Sequence, residues 1–167
     1  MPDTVLVSII MGSDSDWPLV KKTYETLKHF GVPTEARVMS AHRTPDTVRE
    51  HVKNSEANGV KVFIGAAGKA AHLPGVIAAY TVRPVIGLPV GSQALAGLDA
   101  LLSIVQMPSG IPVATVAVDG AENAALLAVQ ILAASSEELD VQLKAHRRQM
   151  SDTIAKKDAS ITGPAIG

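Results

Sequence analysis

Short runs of β-branched and aliphatic residues alternate along this chain with longer segments in which apolar residues recur every three or four positions. The short runs predict buried strands, and the longer segments predict amphipathic helices. Five strands are predicted, at Thr4–Met11, Thr34–Met39, Lys61–Ala66, Pro84–Leu88 and Pro112–Val118. Six helices are predicted, at Pro18–Phe30, Pro45–Asn58, His72–Tyr80, Ala94–Gln106, Asn123–Ala134 and from Ser136 onward.

Strand and helix alternate five times, which is typical of βαβ units and therefore of a parallel sheet covered by helices on both faces. We predict an α/β fold, a three-layer sandwich that is flavodoxin-like or Rossmann-like, with an extra C-terminal helix. Residues 1–157 are predicted to form a single domain. From Asp158 the chain consists of small residues and turn formers, which predicts a flexible tail over residues 158–167.

The last two predicted helices carry more apolar surface than one small domain is expected to bury. The helix at Asn123–Ala134 is apolar on nearly all sides. The final helix has one mostly apolar stripe, formed by Leu139, Leu143, His146, Met150 and Ile154. We therefore expect a homo-oligomer.

The composition fits one globular domain and excludes several functional classes. A chain of 167 residues that is 47% hydrophobic can form its own core without a metal or a disulfide. A net charge of -1 and five aromatic residues argue against a nucleic-acid partner. The chain has no cysteine, and its longest apolar stretch is interrupted by Gln130. We expect a cytoplasmic protein with no membrane partner.

The residues best suited to chemistry follow the first four predicted strands. They occupy the segments Gly12–Trp17, Ser40–Pro45, Gly65–Gly75 and Gly87–Gly97. Ligands bind outside the carboxyl ends of the strands in a doubly wound sheet, so these four loops are expected to form one pocket. This convergence predicts an active site at that edge of the sheet.

The first of these loops, with the sequence GSDSDW, suits a phosphate beside a sugar. A glycine and serine turn that enters a helix presents backbone N–H groups and hydroxyls to an anion. Its two carboxylates would repel a phosphate, so one of them is expected to bind sugar hydroxyls. The alternative is that Ser15 or Asp16 only caps the first helix. The chain matches neither the dinucleotide nor the P-loop fingerprint, so ATP binding is not indicated.

Two histidines and an arginine stand out in the next two loops. His42 suits proton transfer near neutral pH, and the planar guanidinium of Arg43 suits phosphate or carboxylate. Small residues before His72 allow a flat ligand to approach the backbone closely. The alternatives are a hydrogen-bonded loop histidine beside a surface arginine, and tight strand-to-helix packing with His72 as a cap. The remaining histidines lie inside predicted helices and are expected to be structural: His29, His51 and His146.

Five motifs occur in order along the chain: MGSDSDW (11–17), SAHRTP (40–45), AAHLPG (70–75), SIVQMPSGIPVAT (103–115) and NAALLA (123–128). Together they resemble the N5-carboxyaminoimidazole ribonucleotide mutase family of bacterial purine biosynthesis, the catalytic subunit formerly called phosphoribosylaminoimidazole carboxylase. The resemblance runs from Val5 to about Ala134. It implies a homo-octamer, a small ribonucleotide substrate with CO2 as an intermediate, and neither a metal nor an organic cofactor.

The resemblance also assigns roles by motif. His42 matches the catalytic histidine, and Ser13, Asp16 and Arg43 match substrate-binding positions. Six further residues are expected to bind substrate: Ser15, Ser40, Gly68, Ala70, His72 and Leu73. His42 is expected to protonate the departing carbamate nitrogen and later to take up the proton displaced from the imidazole carbon.

Two positions depart from the family pattern, since Lys69 and Ala66 stand where glycine is commoner. Related proteins remain as alternatives. A carboxylase that uses CO2 directly has lysine in place of Arg43 and a different third loop, and a paralogue that carboxylates a nicotinate nucleotide lacks the SAHRTP and AAHLPG pair. A non-catalytic receiver-like domain would need an aspartate at the end of the third strand, where this chain has GAA at residues 65–67.

Overall fold

The protein is a five-stranded, all-parallel sheet between two layers of helices, as seen in a computed structural model that describes residues 4–161. The strands are β1 (Val7–Met11), β2 (Thr34–Val38), β3 (Val62–Gly68), β4 (Val85–Val90) and β5 (Ala114–Thr115). The helices are α1 (Trp17–His29), α2 (Pro45–Ala57), α3 (Leu73–Ala78), α4 (Leu98–Val105), α5 (Ala121–Ala133) and α6 (Glu137–Ile161). The strand order β2-β1-β3-β4-β5 is the flavodoxin-like order, which confirms the predicted fold class.

The two faces of the sheet support separate hydrophobic cores, because side chains alternate along each strand. Ile9 faces a core shared with α1 and α5, whereas Ile10 faces a core shared with α2, α3 and α4. The final helix, α6, adds Leu139 and Leu143 to the outer side of the first core. Since α5 lies between the sheet and α6, its apolar sides are buried within one chain, and they give no support to the predicted oligomer.

Strands β3 and β4 run further than their sequences predicted, to Gly68 and Val90 in place of Ala66 and Leu88. The added residues include Ala67, Gly68 and Pro89, which have low strand propensity, so the sequence predicts loops there. Tertiary packing decides otherwise. A Cβ on Gly87 would clash with Ile104 of α4, and one on Gly65 would lie 3.1 Å from Pro74 of α3. The small residues allow both helices to lie directly on the sheet.

Two helix boundaries also differ from prediction. The helix expected from Ala94 begins at Leu98, because Ala96 and Gly97 have φ angles of 50° and 85°, outside the helical region. At the other end of the chain, α6 continues to Ile161, so the predicted tail is wrong for residues 158–161. Residues 162–167 lie outside the described part. Within residues 4–161, no helix is long and apolar enough to cross a membrane.

His51, for which the sequence suggested no partner, belongs to a polar cluster between α2 and the sheet. Its Nε2 lies 2.9 Å from the hydroxyl of Ser8 and 3.4 Å from a carboxylate oxygen of Glu35. Burial lowers the pKa of His51, an effect that Glu35 opposes and Arg37 reinforces. The contact gives the fully buried Ser8 hydroxyl a hydrogen-bond partner, and it ties α2 to β1.

Candidate active site

The loops after β1, β2, β3 and β4 surround a cavity of about 870 Å³ at one edge of the sheet. It lies beside the paired strands β1 and β3, where the direction of strand order changes. Nine of the ten predicted site residues line it: Ser13, Ser15, Asp16, Ser40, His42, Arg43, Gly68, Ala70 and Leu73. The convergence of loops expected from the sequence is therefore present in the structure.

The first loop forms a single 3-10 turn, Asp14–Asp16, that leads into α1. The Ser13 hydroxyl caps this turn by accepting the backbone N–H of Ser15 at 3.2 Å, and the Ser15 hydroxyl donates to Ser13 Oγ at 2.8 Å. Neither Ser15 nor Asp16 caps α1 through its side chain, so the simple capping role does not account for them. Two hydroxyls are thus held side by side at the edge of the cavity.

Asp16 is the half-buried carboxylate of this loop. Burial raises the pKa of Asp16 above the usual aspartate value, and repulsion by Asp14 adds to the rise. Hydrogen bonds with the Ser15 side chain and the Ser13 backbone act in the opposite direction and lower the pKa. At neutral pH the folded protein therefore holds a carboxylate that is incompletely solvated. Such a group gains from hydroxyl donors on a ligand.

The second loop is organised around the hydroxyl of Ser40. Its Oγ accepts hydrogen bonds from the backbone N–H groups of His42 and Arg43, at 3.3 and 3.1 Å. The Ser40 N–H donates to Thr44 Oγ1 at 3.0 Å, and Thr44 Oγ1 donates to the Ser40 carbonyl at 3.2 Å. Thr44 stands at the N-cap position of α2, but its hydroxyl closes the loop and makes no cap hydrogen bond.

Arg43 joins the first two loops. Its Nη2 donates to the carbonyl oxygen of Gly12 at 3.0 Å, and its Nε lies 3.4 Å from Ser40 Oγ. These contacts tie the guanidinium to the first loop, whose serine hydroxyls line the same cavity. The guanidinium and the hydroxyls together form a donor-rich corner of the cavity, which suits a phosphate.

His42 and His72 form a close pair. His42 Nε2 lies 2.7 Å from His72 Nδ1, and the two rings meet edge to face with centroids 4.9 Å apart. One of the two nitrogens must lack a proton for this contact, so in this geometry the pair carries at most one positive charge. His72, predicted to bind substrate, lies behind His42, outside the residues that line the cavity. It makes no side-chain cap to α3.

The far wall is formed by the ends of β3 and β4 and by the loop that follows β4. A Cβ on Gly68 would lie 3.2 Å from the carbonyl oxygen of Val90, so the two strands approach closely here. Lys69 follows with a φ of 55°, a left-handed conformation that is uncommon for lysine. The sequence identified the loop after β4 but singled out none of its lining residues, which are Gly91, Ser92, Gln93 and Ala94. Only their position after a predicted strand points to these residues in the sequence, because they belong to no motif.

Comparison with known proteins places this site in a known family. The family model described as AIR carboxylase matches residues 6–153. An N5-carboxyaminoimidazole ribonucleotide mutase from Pyrococcus horikoshii is 55% identical over 91% of this chain and 86% of its own length. A protein of the same name from Mycobacterium tuberculosis is 50% identical over 93% of this chain and 89% of its own length.

Solved structures agree with the sequence relatives. The crystal structure of Treponema denticola PurE matches with a TM-score of 0.88 at 33% identity, over 95% of this chain and 99% of that one. The match of the family model over most of the chain and the identity to the two mutases confirm the resemblance seen in the five motifs. The chain belongs to the AIR carboxylase family.

Proposed function

We propose that this protein is an N5-carboxyaminoimidazole ribonucleotide mutase of purine biosynthesis, an isomerase that moves a carboxyl group from nitrogen to carbon on one ribonucleotide. One observation carries the proposal: His42 shares a cavity wall with Ser13, Asp16 and Arg43, in a chain about half identical to proteins of that name. The cavity of about 870 Å³ is ample for a single nucleotide.

The phosphate of the substrate fits the corner formed by Ser13, Ser15 and Arg43. The two hydroxyls already lie 2.8 Å apart, and Arg43 reaches the same loop through the Gly12 carbonyl. The ribose then falls beside Asp16, whose carboxylate can accept hydrogen bonds from sugar hydroxyls. Binding at these remote groups orients the imidazole ring toward His42.

The pair of histidines suits a reaction that moves one proton and returns it. While His42 Nε2 stays against His72 Nδ1, the other ring nitrogen of His42 is left for the ligand. In the first step His42 gives a proton to the carbamate nitrogen as the bond from that nitrogen to the carboxyl carbon breaks. This step releases CO2 and the neutral aminoimidazole.

In the second step the electron-rich ring carbon attacks CO2, and the proton displaced from that carbon passes to His42. The histidine ends in its starting state, so the reaction needs no net acid or base. Small residues at the end of β3 and in the following turn, such as Ala67 and Ala70, line the cavity and leave an apolar recess for CO2.

A direct carboxylase that takes free CO2 and aminoimidazole ribonucleotide is the second candidate, because it would use the same cavity and yield the same product. Arg43 and the AAHLPG segment favour the mutase, as does the name of the relatives that are 50–55% identical. Lys69 departs from the glycine that is commoner in the family at this position, and it brings an exposed ammonium group to the cavity wall.

We also propose that the protein is a homo-oligomer, with the octamer implied by the family as the expected state. Support comes from apolar side chains left exposed within one chain. Leu98, Leu102 and Val105 share one face of α4, and Met150 and Ile154 continue the stripe of α6 beyond its contact with α5.

The first prediction concerns the reaction. Purified protein without ATP is given freshly prepared N5-carboxyaminoimidazole ribonucleotide, and formation of the 4-carboxy product is followed by absorbance. We expect rapid conversion, and slow conversion when aminoimidazole ribonucleotide with dilute bicarbonate replaces the carbamate. Efficient turnover only of the second mixture would assign the chain to the direct carboxylases. Activity with neither would refute both candidates.

The second prediction concerns His42. His42→Asn is expected to lower turnover by about 100- to 10,000-fold, because an amide cannot exchange a proton with the substrate. Product affinity, measured by titration calorimetry, is expected to stay close to that of the parent. His72→Asn serves as the matched comparison and should lose less, since it removes only the partner of His42. A His42→Asn protein that turns over within tenfold of the parent would rule out the proton transfer.

The third prediction concerns Asp16. Because burial raises its pKa, ionised Asp16 opposes folding at neutral pH, and Asp16→Asn should raise the melting temperature at pH 7.5. This gain should vanish as the pH falls below about 4, where Asp16 is protonated in both the folded and unfolded states. The same variant should raise the substrate KM about 10- to 100-fold, through loss of charged hydrogen bonds to the ribose.

Asp14→Asn is the control for this variant, because Asp14 is exposed and lies outside the cavity lining. Asp14→Asn also removes the repulsion that adds to the rise in the pKa of Asp16, so it should raise the melting temperature less than Asp16→Asn does. Its KM should stay close to the parental value. An Asp16→Asn protein that binds substrate normally would remove the carboxylate from the sugar site.

The fourth prediction concerns assembly. Light scattering at micromolar concentration should report a mass near eight times the 17.4 kDa of one chain. Leu102→Lys should lower this mass, because it places a charge on the exposed face of α4. A parent protein that is monomeric under these conditions would refute the oligomer.

A further inference from the structure

Asp119, in the loop between β5 and α5, forms two hydrogen bonds with the end of β4. Its backbone N–H donates to the carbonyl oxygen of Pro89 at 2.9 Å. Its side-chain Oδ1 accepts the backbone N–H of Gly91 at 2.8 Å. The two hydrogen bonds bracket Val90, the last residue of β4, and fix the direction in which the chain leaves the sheet toward the cavity.

The contact combines an unusual backbone conformation at Asp119 with the absence of a side chain at Gly91. Asp119 has a φ of 56°, in the left-handed region that aspartate tolerates better than most residues. A Cβ on Gly91 would lie only 2.7 Å from Asp119 Oδ2, so a larger residue at position 91 would displace the carboxylate from its present place. Gly97, at the other end of the β4–α4 loop, also packs closely, since its Cβ would lie 3.2 Å from the Cα of Gly91.

The carboxylate of Asp119 does not cap the helix that follows it. Asp119 stands just before Gly120, the N-cap residue of α5, yet α5 receives no side-chain cap there. It is the Asp119 carbonyl, not the carboxylate, that accepts the Ala121 N–H at 2.8 Å. The carboxylate instead reaches from the β5–α5 loop to the β4–α4 loop.

We propose that Asp119 is a positioning residue that holds residues 91–94 as the far wall of the substrate cavity. It lies outside the cavity lining, so it acts through Gly91, Ser92, Gln93 and Ala94, which do line it. The part of the proposal that concerns substrate rests on the mutase function proposed above. A fixed wall lowers the entropy lost on binding, so loss of the contact should weaken substrate binding and leave the proton transfer at His42 intact.

The test compares three variants. Asp119→Gly removes the carboxylate but suits the φ of 56°, so the fold should survive. Asp119→Asn keeps a side-chain oxygen that can accept the Gly91 N–H. Ala96→Gly is the matched control, because Ala96 also has a positive φ, 50°, and belongs to the β4–α4 loop that Asp119 contacts, but lies outside the cavity lining. Each protein is assayed for kcat and KM and, when 15N-labelled, for hydrogen exchange of the Gly91 amide without ligand.

We expect Asp119→Gly to exchange the Gly91 amide faster and to raise KM about fivefold with kcat nearly unchanged. Asp119→Asn should restore most of both values, and Ala96→Gly should match the parent. Unchanged exchange in Asp119→Gly would overturn the positioning role, and faster exchange with an unchanged KM would overturn its link to substrate. A parent protein inactive on the carbamate would refute the mutase instead, and the exchange measurement would still decide whether Asp119 holds the loop.

Discussion

The parallel pairing of β1 with β3 is the constraint on which the rest of the site depends. The register sets Met11 opposite Ala66, so the first and third loops leave the sheet at nearly the same height, two residues apart. On the other side of β1, Met11 is opposite Val38, which brings in the loop that carries His42 and Arg43. Three loops distant in sequence thus converge because their strands point the same way.

Close packing of helices on the sheet then determines how deep the cavity can be. Gly87 faces Ile104 at a distance that leaves no room for a Cβ, and Gly65 is similarly confined by Pro74. With α3 and α4 held against the strands, β3 extends to Gly68 and β4 to Val90, and only short loops remain to form the far wall. Glycine lowers the strand propensity of β3 and β4, yet Gly65 and Gly87 are the residues that allow the helices to pack on these strands.

The predictable part of the molecule is the part in which a local pattern and the tertiary structure agree. The apolar run before Gly12 could only be a buried strand, and the rule for parallel sheets then placed Ser13, His42 and Arg43 at one edge. The hydrogen bond between His42 and His72 could not be predicted, because it depends on how two loops are oriented whose histidines are 30 residues apart in sequence. Likewise, no local pattern connects Asp119 with Gly91.

Backbone strain in this chain is concentrated in the loops at the edge of the sheet that carries the cavity. Among residues 4–161, the non-glycine residues with positive φ are Lys69, Ala96 and Asp119, and they follow β3, β4 and β5 in turn. The half-buried carboxylate of Asp16 adds an electrostatic cost at the same edge of the sheet. Neither feature helps the chain fold, since glycine or asparagine at these positions would be easier to accommodate. Both are compatible with a cavity whose shape and charge are fixed before the ligand arrives, at the expense of stability that the two buried cores supply.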